Sequence, residues 1–188
     1  MIFSAKKQVT KEALISASFE IVREEGIDAL NMRTLAQKCN CSTQPIYLSF
    51  KNAEEVKSEV LKLAVDKYNG YLQNESGDKY ENKYKAVGMG YIRFAKEDKE
   101  LFKWLFMRKR SDELDLMENS FENTVNLIMK SFSLPKEKAQ RLQLEMWVFV
   151  HGIGTLLATD YINWSWDDIS AMLTDAFTGI YNKITGEY

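Results

Sequence analysis

Two cysteines, two prolines, nine glycines and a single histidine are all that these residue types contribute to a chain of 188. Two cysteines, Cys39 and Cys41, cannot build a disulfide framework. So few turn formers cannot serve the many corners of an all-β sandwich or barrel. The longest run free of charge, Met146 to Thr159, has 14 residues, against the ~20 that a membrane span requires. Neither sign of charge dominates, since 25 basic and 27 acidic residues leave a net −2, and the total announces neither nucleic acid nor a membrane surface. The first residues pass from Ile2 and Phe3 into Lys6 and Lys7 without the pattern of a signal peptide. The expected location is the reducing cytoplasm. What the chain does have is 45% hydrophobic residues, enough for a sizeable core and too many for a disordered chain.

Apolar residues recur at three and four positions, which predicts an all-α protein. A first helix runs from Thr10 to Glu25 with Leu14, Ala17, Ile21 and Val22 inward, and Gly26 closes it. A two-turn helix begins near Asn31 or Met32 and turns Leu35, Ala36 and Cys39 inward. A third starts at Ser42 or Thr43, both good caps, with Pro45 tolerated in its first turn. Asn40 lies where the chain must turn sharply, and asparagine visits the left-handed region readily. Two short helices across a tight turn, after a longer one, form a helix-turn-helix. A long helix from Asn52 to Asn69, ended by Gly70, leads out of it. Beyond the polar connection Gln73 to Lys83, helices are expected at about 84–96, 97–107, 111–131, from Pro135 to Tyr161, and 167–185. The expected division is a three-helix helix-turn-helix domain over 1–52 and a larger helical domain over 53–188.

Near-neutrality of the whole hides an uneven distribution. No acid occurs between Asp28 and Glu54, whereas Arg33, Lys38 and Lys51 do, and Lys6, Lys7 and Lys11 precede the first helix. Basic clusters that bracket a short helix suit a groove-reading element, with cations on phosphates and base contacts between them. The predicted DNA-contacting set is Arg33 and Thr34 on the second helix, Ser42, Thr43, Gln44, Pro45 and Tyr47 at the start of the third, and Lys51 beyond it. Glutamine can pair with an adenine edge and threonine can touch a thymine methyl. The competing reading is an ordinary short core helix.

The stretch from Leu35-Ala36 through Asn40-Cys41-Ser42-Thr43 to Tyr47-Leu48-Ser49-Phe50, followed by Lys51-Asn52-Ala53-Glu54-Glu55-Val56, resembles the DNA-binding signature of TetR-family transcriptional regulators. The resemblance covers roughly residues 10 to 61. It implies that Tyr47 contacts a phosphate, that Ile46 and Phe50 are core, and that Thr43 to Tyr47 read a palindromic operator of double-stranded DNA. It further implies a homodimer acting as a repressor whose C-terminal half senses a ligand. Two positions depart from the pattern: the turn glycine is Asn40, and the phosphate-binding lysine is Ala53, a role that Lys51 is expected to take over. The segment Trp147-Val148-Phe149-Val150-His151-Gly152 also resembles the Trp-x-x-x-His-Gly motif of one TetR subgroup.

The C-terminal half is rich in rings. Tyr91, Phe94, Phe102, Phe106, Met117, Phe121, Trp147 and His151 are the candidates for a pocket that takes a small apolar or aromatic effector, although such residues are more often core than cavity wall. His151 is equally readable as a satisfied core histidine. Gly152, Gly154 and Ala158 in one helix suggest close helix approach. The last two helices, both very apolar, suit a self-complementary interface with Ile153, Leu157, Met172, Ala176, Phe177, Ile180 and Tyr181 at the contact. Cys39 and Cys41 are expected to be buried, inert thiols. No Ser-His-acid set, metal cluster or phosphate loop is present, so neither enzyme activity nor a cofactor or metal is expected. The rival reading is a helical small-molecule-binding protein or enzyme that keeps the helix-turn-helix only as scaffold.

Overall fold

The computed structural model describes residues 9–75, 82–108 and 115–187, with side chains from 120 onward in the last segment. Among them are nine α-helices and no strand, as the periodicity predicts. The chain divides into two compact units, Met1–Ala64 and Val65–Tyr188.

In the first unit α1 spans Lys11–Glu25. The Thr10 hydroxyl accepts the Ala13 N–H at 3.2 Å, and Gly26 at φ 86° stops the helix. Its inner face carries Leu14, Ile21 and Val22, with Ser18 in place of the expected Ala17. The buried Ser18 hydroxyl is satisfied by donating to the Leu14 carbonyl at 2.8 Å. After one 3-10 turn, α2 (Met32–Lys38) is capped by the Asn31 side chain. Asn40 then takes φ 49°, the left-handed turn expected of it. In α3 (Gln44–Ser49), Ile46 is fully buried, and Phe50 ends the helix in an extended conformation and is buried too. Thr43 is itself in a helical conformation and makes no side-chain cap, contrary to expectation; Pro45 in the first turn leaves one fewer N–H there to satisfy.

Helix α4 (Ala53–Asn74) belongs to both units, its first part contributing the buried Val56 and Val60 to unit one. It does not stop at Asn69-Gly70 as expected. The following turn is held by packing in unit two, where α5 (Lys83–Glu97) passes so close that a Cβ on Gly90 would lie 2.4 Å from the Tyr71 carbonyl oxygen. The Tyr71 hydroxyl also donates to Asp98 at 2.8 Å, and Lys67 lies 3.4 Å from the same buried carboxylate.

The rest of unit two is α6 (Lys99–Phe106), α7 (Asp115–Phe132), α8 (Lys136–Ala158) and α9 (Trp166–Thr185), with α8 packed on α5, α7 and α9. Helix α8 ends one turn before the expected Tyr161, because Asp160 takes φ 56° and the chain leaves the helix there. Phe94 and Phe102 are fully buried at its centre. A Cβ on Gly154 would sit 3.1 Å from the Phe102 ring and 3.2 Å from the Ala95 Cβ, so this glycine does mark a close approach. Gly152 does not: it faces open space.

Candidate nucleic-acid interface and interior cavity

Residues 44, 47 and 48 share one face of α3, because side chains three and four apart lie together. That face points outward: Gln44, Tyr47 and Leu48 are exposed, the last two at 61% and 82%, while Ile46 on the opposite side is at 0%. Ser42 is exposed, and Thr43 and Pro45 are half-buried beside it. The row therefore offers an amide, a phenol and an isobutyl group to whatever lies against it. Leu48 was missed by sequence reasoning that looked for polar contacts; the spacing 44, 47, 48 was the available signal.

The predicted cations fare unequally. Arg33 and Lys51 are exposed, and their side chains enter no ion pair among the described residues. Lys38 is held by Glu24 at 2.7 Å, an exposed pair in which the hydrogen bond raises the lysine's pKa and lowers that of the acid. Lys11 pairs with Glu55 at 3.1 Å and lies over the Phe50 ring. Glu55 in turn accepts the Lys51 backbone N–H at 2.8 Å, which with Lys11 holds its carboxyl below the ordinary range. These two lysines thus brace the fold instead of bracketing the helix freely. Thr34, half-exposed, has a local role as well: its hydroxyl donates to the Ala29 carbonyl at 2.8 Å and closes the cap of α2 by accepting the Asn31 N–H. Lys6 and Lys7 lie outside the described residues. Cys39 and Cys41 are free and half-buried, and burial, with Cys41 adjacent, pushes the Cys39 thiol up, away from the reactive thiolate.

Unit two carries a half-open cavity of about 870 Å³. Of the predicted pocket residues, Tyr91, Phe106, Phe121 and Trp147 line it. Phe94 and Phe102 do not, contrary to expectation: they are fully buried in the core, where each packs against neighbouring rings. His151 stands just behind the wall, its Nδ1 2.9 Å from the Tyr91 hydroxyl and its ring stacked on Trp147. The Met117 side chain lies outside those described. Sequence reasoning missed Tyr68 and Leu72 from α4, Lys85 and Gly88 from α5, and the buried Tyr84 hydroxyl that donates to Gln143 at 3.0 Å. Burial raises the pKa values of Tyr68, Tyr84 and Tyr91 and lowers that of His151, so all four stay neutral at pH 7. An apolar body with a few neutral hydrogen-bonding groups around it suits a small molecule.

The expected contact residues divide as well. Ile153 and Leu157, at 4% and 2% exposure, belong to the core of their own unit and cannot meet a second chain. Phe177 and Tyr181 stack on each other and lie tilted against Phe132, and Phe177 also lines the cavity. Met172, Ala176 and Ile180 remain half-exposed on α9. On α8 the outward row is Leu144 and Val148, at 54% and 60%, followed by the open Gly152.

Among the described residues no helix is long and apolar enough to cross a membrane, and no three histidine, cysteine or acidic side chains come together to hold a metal.

Solved structures resemble this chain along most of its length. A protein of unknown function from Rhodococcus sp. RHA1 matches with a TM-score of 0.71 at 15% identity, over 96% of this chain and 97% of its own. A protein proposed as a TetR-family transcriptional regulator, from Rhodococcus sp., matches at 0.63 and 17%, over 90% and 97%. SmeT, the repressor of the Stenotrophomonas maltophilia multidrug efflux pump SmeDEF, matches at 0.52 and 16%, over 96% and 91%. At such identities the likeness is one of fold, and the fold is the all-α one of TetR-type regulators. No protein-family model and no curated protein matches the sequence.

Proposed function

We propose that this chain is a DNA-binding transcriptional regulator of the cytoplasm, a homodimer that binds a palindromic operator and represses until a small effector enters unit two. The observation that carries the reading is the outward row Gln44, Tyr47 and Leu48 on a helix whose other side is anchored by Ile46 and Phe50. Gln44 reads a base edge, Leu48 meets a thymine methyl, and Tyr47 holds a phosphate. Arg33 and Lys51, whose side chains enter no ion pair among the described residues, supply the phosphate contacts on either side, Lys51 standing in for the lysine that Ala53 replaces. Repression has its support in the like-folded SmeT, itself a repressor. An enzyme built on this fold would need converging reactive groups, and the cavity's described polar groups are neutral phenols, amides and hydroxyls beside three charged side chains.

The homodimer is built on the half-exposed Met172, Ala176 and Ile180 of α9 and the outward Val148 and Gly152 of α8. Helix α4 is the element on which an effector acts, since Tyr68 and Leu72 line the cavity while Val56 and Val60 of the same helix lie in the core of unit one. A ligand that prefers one placement of α4 shifts the population of DNA-competent dimers; one indifferent to it does nothing. Gel shifts with genomic fragments at two salt concentrations test the reading. Sequence-selective, salt-sensitive retardation is expected; no selectivity at either salt favours a helical small-molecule-binding protein or enzyme instead.

A further inference from the structure

The cavity wall carries three charged side chains among the described residues, Lys85, Arg108 and Glu122. Glu122 is answered by Lys136 at 3.4 Å. Arg108 lies over the Trp104 ring at the α6 end. Lys85, half-buried near the start of α5, pairs with no acid among the described residues; its ammonium donates to the Thr174 hydroxyl of α9 at 2.8 Å, and Thr178 lines the wall one turn further on. The Lys85–Thr174 bond is exposed at the rim of the cavity, where an ammonium with no acid beside it among the described residues is open to an anion. Along the same face of α5, Gly88 leaves the wall without a side chain midway between Lys85 and Tyr91, which are six residues or roughly 9 Å apart along the helix. Beyond Gly88 stand the rings of Tyr91, Phe106 and Trp147.

We infer that the cavity takes an amphipathic monocarboxylate, its carboxylate at the Lys85 ammonium and the Thr174 and Thr178 hydroxyls, its aromatic or apolar body lying over Gly88 against Tyr91, Phe106 and Trp147. This rests on the reading of unit two as an effector domain and gives that effector a chemical class. One ammonium matches one negative charge, and its hydrogen bonds to a carboxylate are charge-assisted. A cationic head would meet an ammonium at this end. A neutral ester would fill the rings and leave Lys85 as it is.

Titration of the full-length protein with 1-pyrenebutyrate and with its methyl ester, read by quenching of tryptophan emission, tests the inference. The acid is expected to bind at least tenfold more tightly than the ester. Lys85→Met should abolish that preference while leaving ester binding unchanged, and Lys85→Arg should keep it. Equal affinity for acid and ester, no binding of either, or a preference that survives Lys85→Met overturns the inference. DNA binding is measured on the same preparations by anisotropy without probe. Failure there removes the regulator reading whatever pyrenebutyrate does, and tight pyrenebutyrate binding that leaves DNA affinity unchanged removes only the effector role.

Discussion

The Tyr91 hydroxyl on α5 lies 2.9 Å from Nδ1 of His151 on α8, and the Trp147 indole covers the same imidazole with ring centroids 5.1 Å apart. A neutral imidazole fits this setting as acceptor or donor, and burial lowers its pKa from the ordinary ~6.5.

The sign of the pH dependence follows. Because the folded-state pKa lies below the unfolded one, the contribution of neutral His151 is complete above about pH 6.5 and is lost as pH falls through the folded value. His151 is the chain's one histidine, so thermal unfolding should show a Tm that falls as pH drops below about 6.5. His151→Gln should flatten that fall. Equal slopes for both proteins would show that the imidazole is not the titrating group.

Gln44→Ala and Tyr47→Ala should both weaken operator binding, with different signatures. Loss of the amide should cost about 1–3 kcal/mol and change the preferred base at one position; loss of the phenol should weaken all sequences alike. Arg33→Ala and Lys51→Ala should each lower the salt slope by about 1. Competition with single-base operator variants reads the first pair, and anisotropy against salt reads the second.

Two glycines in unit two should respond oppositely to the same change. Gly90→Ala drives a Cβ to 2.4 Å from the Tyr71 carbonyl, a backbone contact that cannot swing aside, and should destabilise by about 3 kcal/mol. Gly70 faces open space, and Gly70→Ala in the interior of α4 should stabilise by up to about 1 kcal/mol. Urea denaturation measures both. A tolerated Gly90→Ala would mean that α4 and α5 are not so closely packed.

Val148→Glu and Ile180→Glu place charge on the outward rows of α8 and α9 and should give folded monomers. Sedimentation velocity would show the lower mass, with unchanged far-ultraviolet dichroism as the control for folding. A persistent dimer would move the contact to another face.

Much of this was legible in the chain because helical period reports directly which face is inward. Leu14, Ile21, Ile46 and Phe50 are buried as their spacing predicts, and Asn40 takes its left-handed turn. Period does not say what the inward face meets. Phe94 and Phe102 share the character of Tyr91 and Phe106, yet one pair fills the core and the other borders empty space. Ile153 and Leu157 have the spacing of an interface and serve their own unit. The stop signal at Asn69-Gly70 was overridden by tertiary packing at Gly90. Lys38 and Lys11 were neutralised by Glu24 and Glu55, acids 14 and 44 residues away, pairings that no local pattern encodes. Gly88 and Lys85 escaped notice because a cavity is defined by what is missing between elements.

Selection of bound duplexes from random DNA tests the central claim most directly. The account predicts enrichment of one inverted repeat with half-sites about one helical turn, ~34–36 Å, apart, as two symmetry-related α3 helices require. Recovery of unrelated sequences with no shared motif would contradict it.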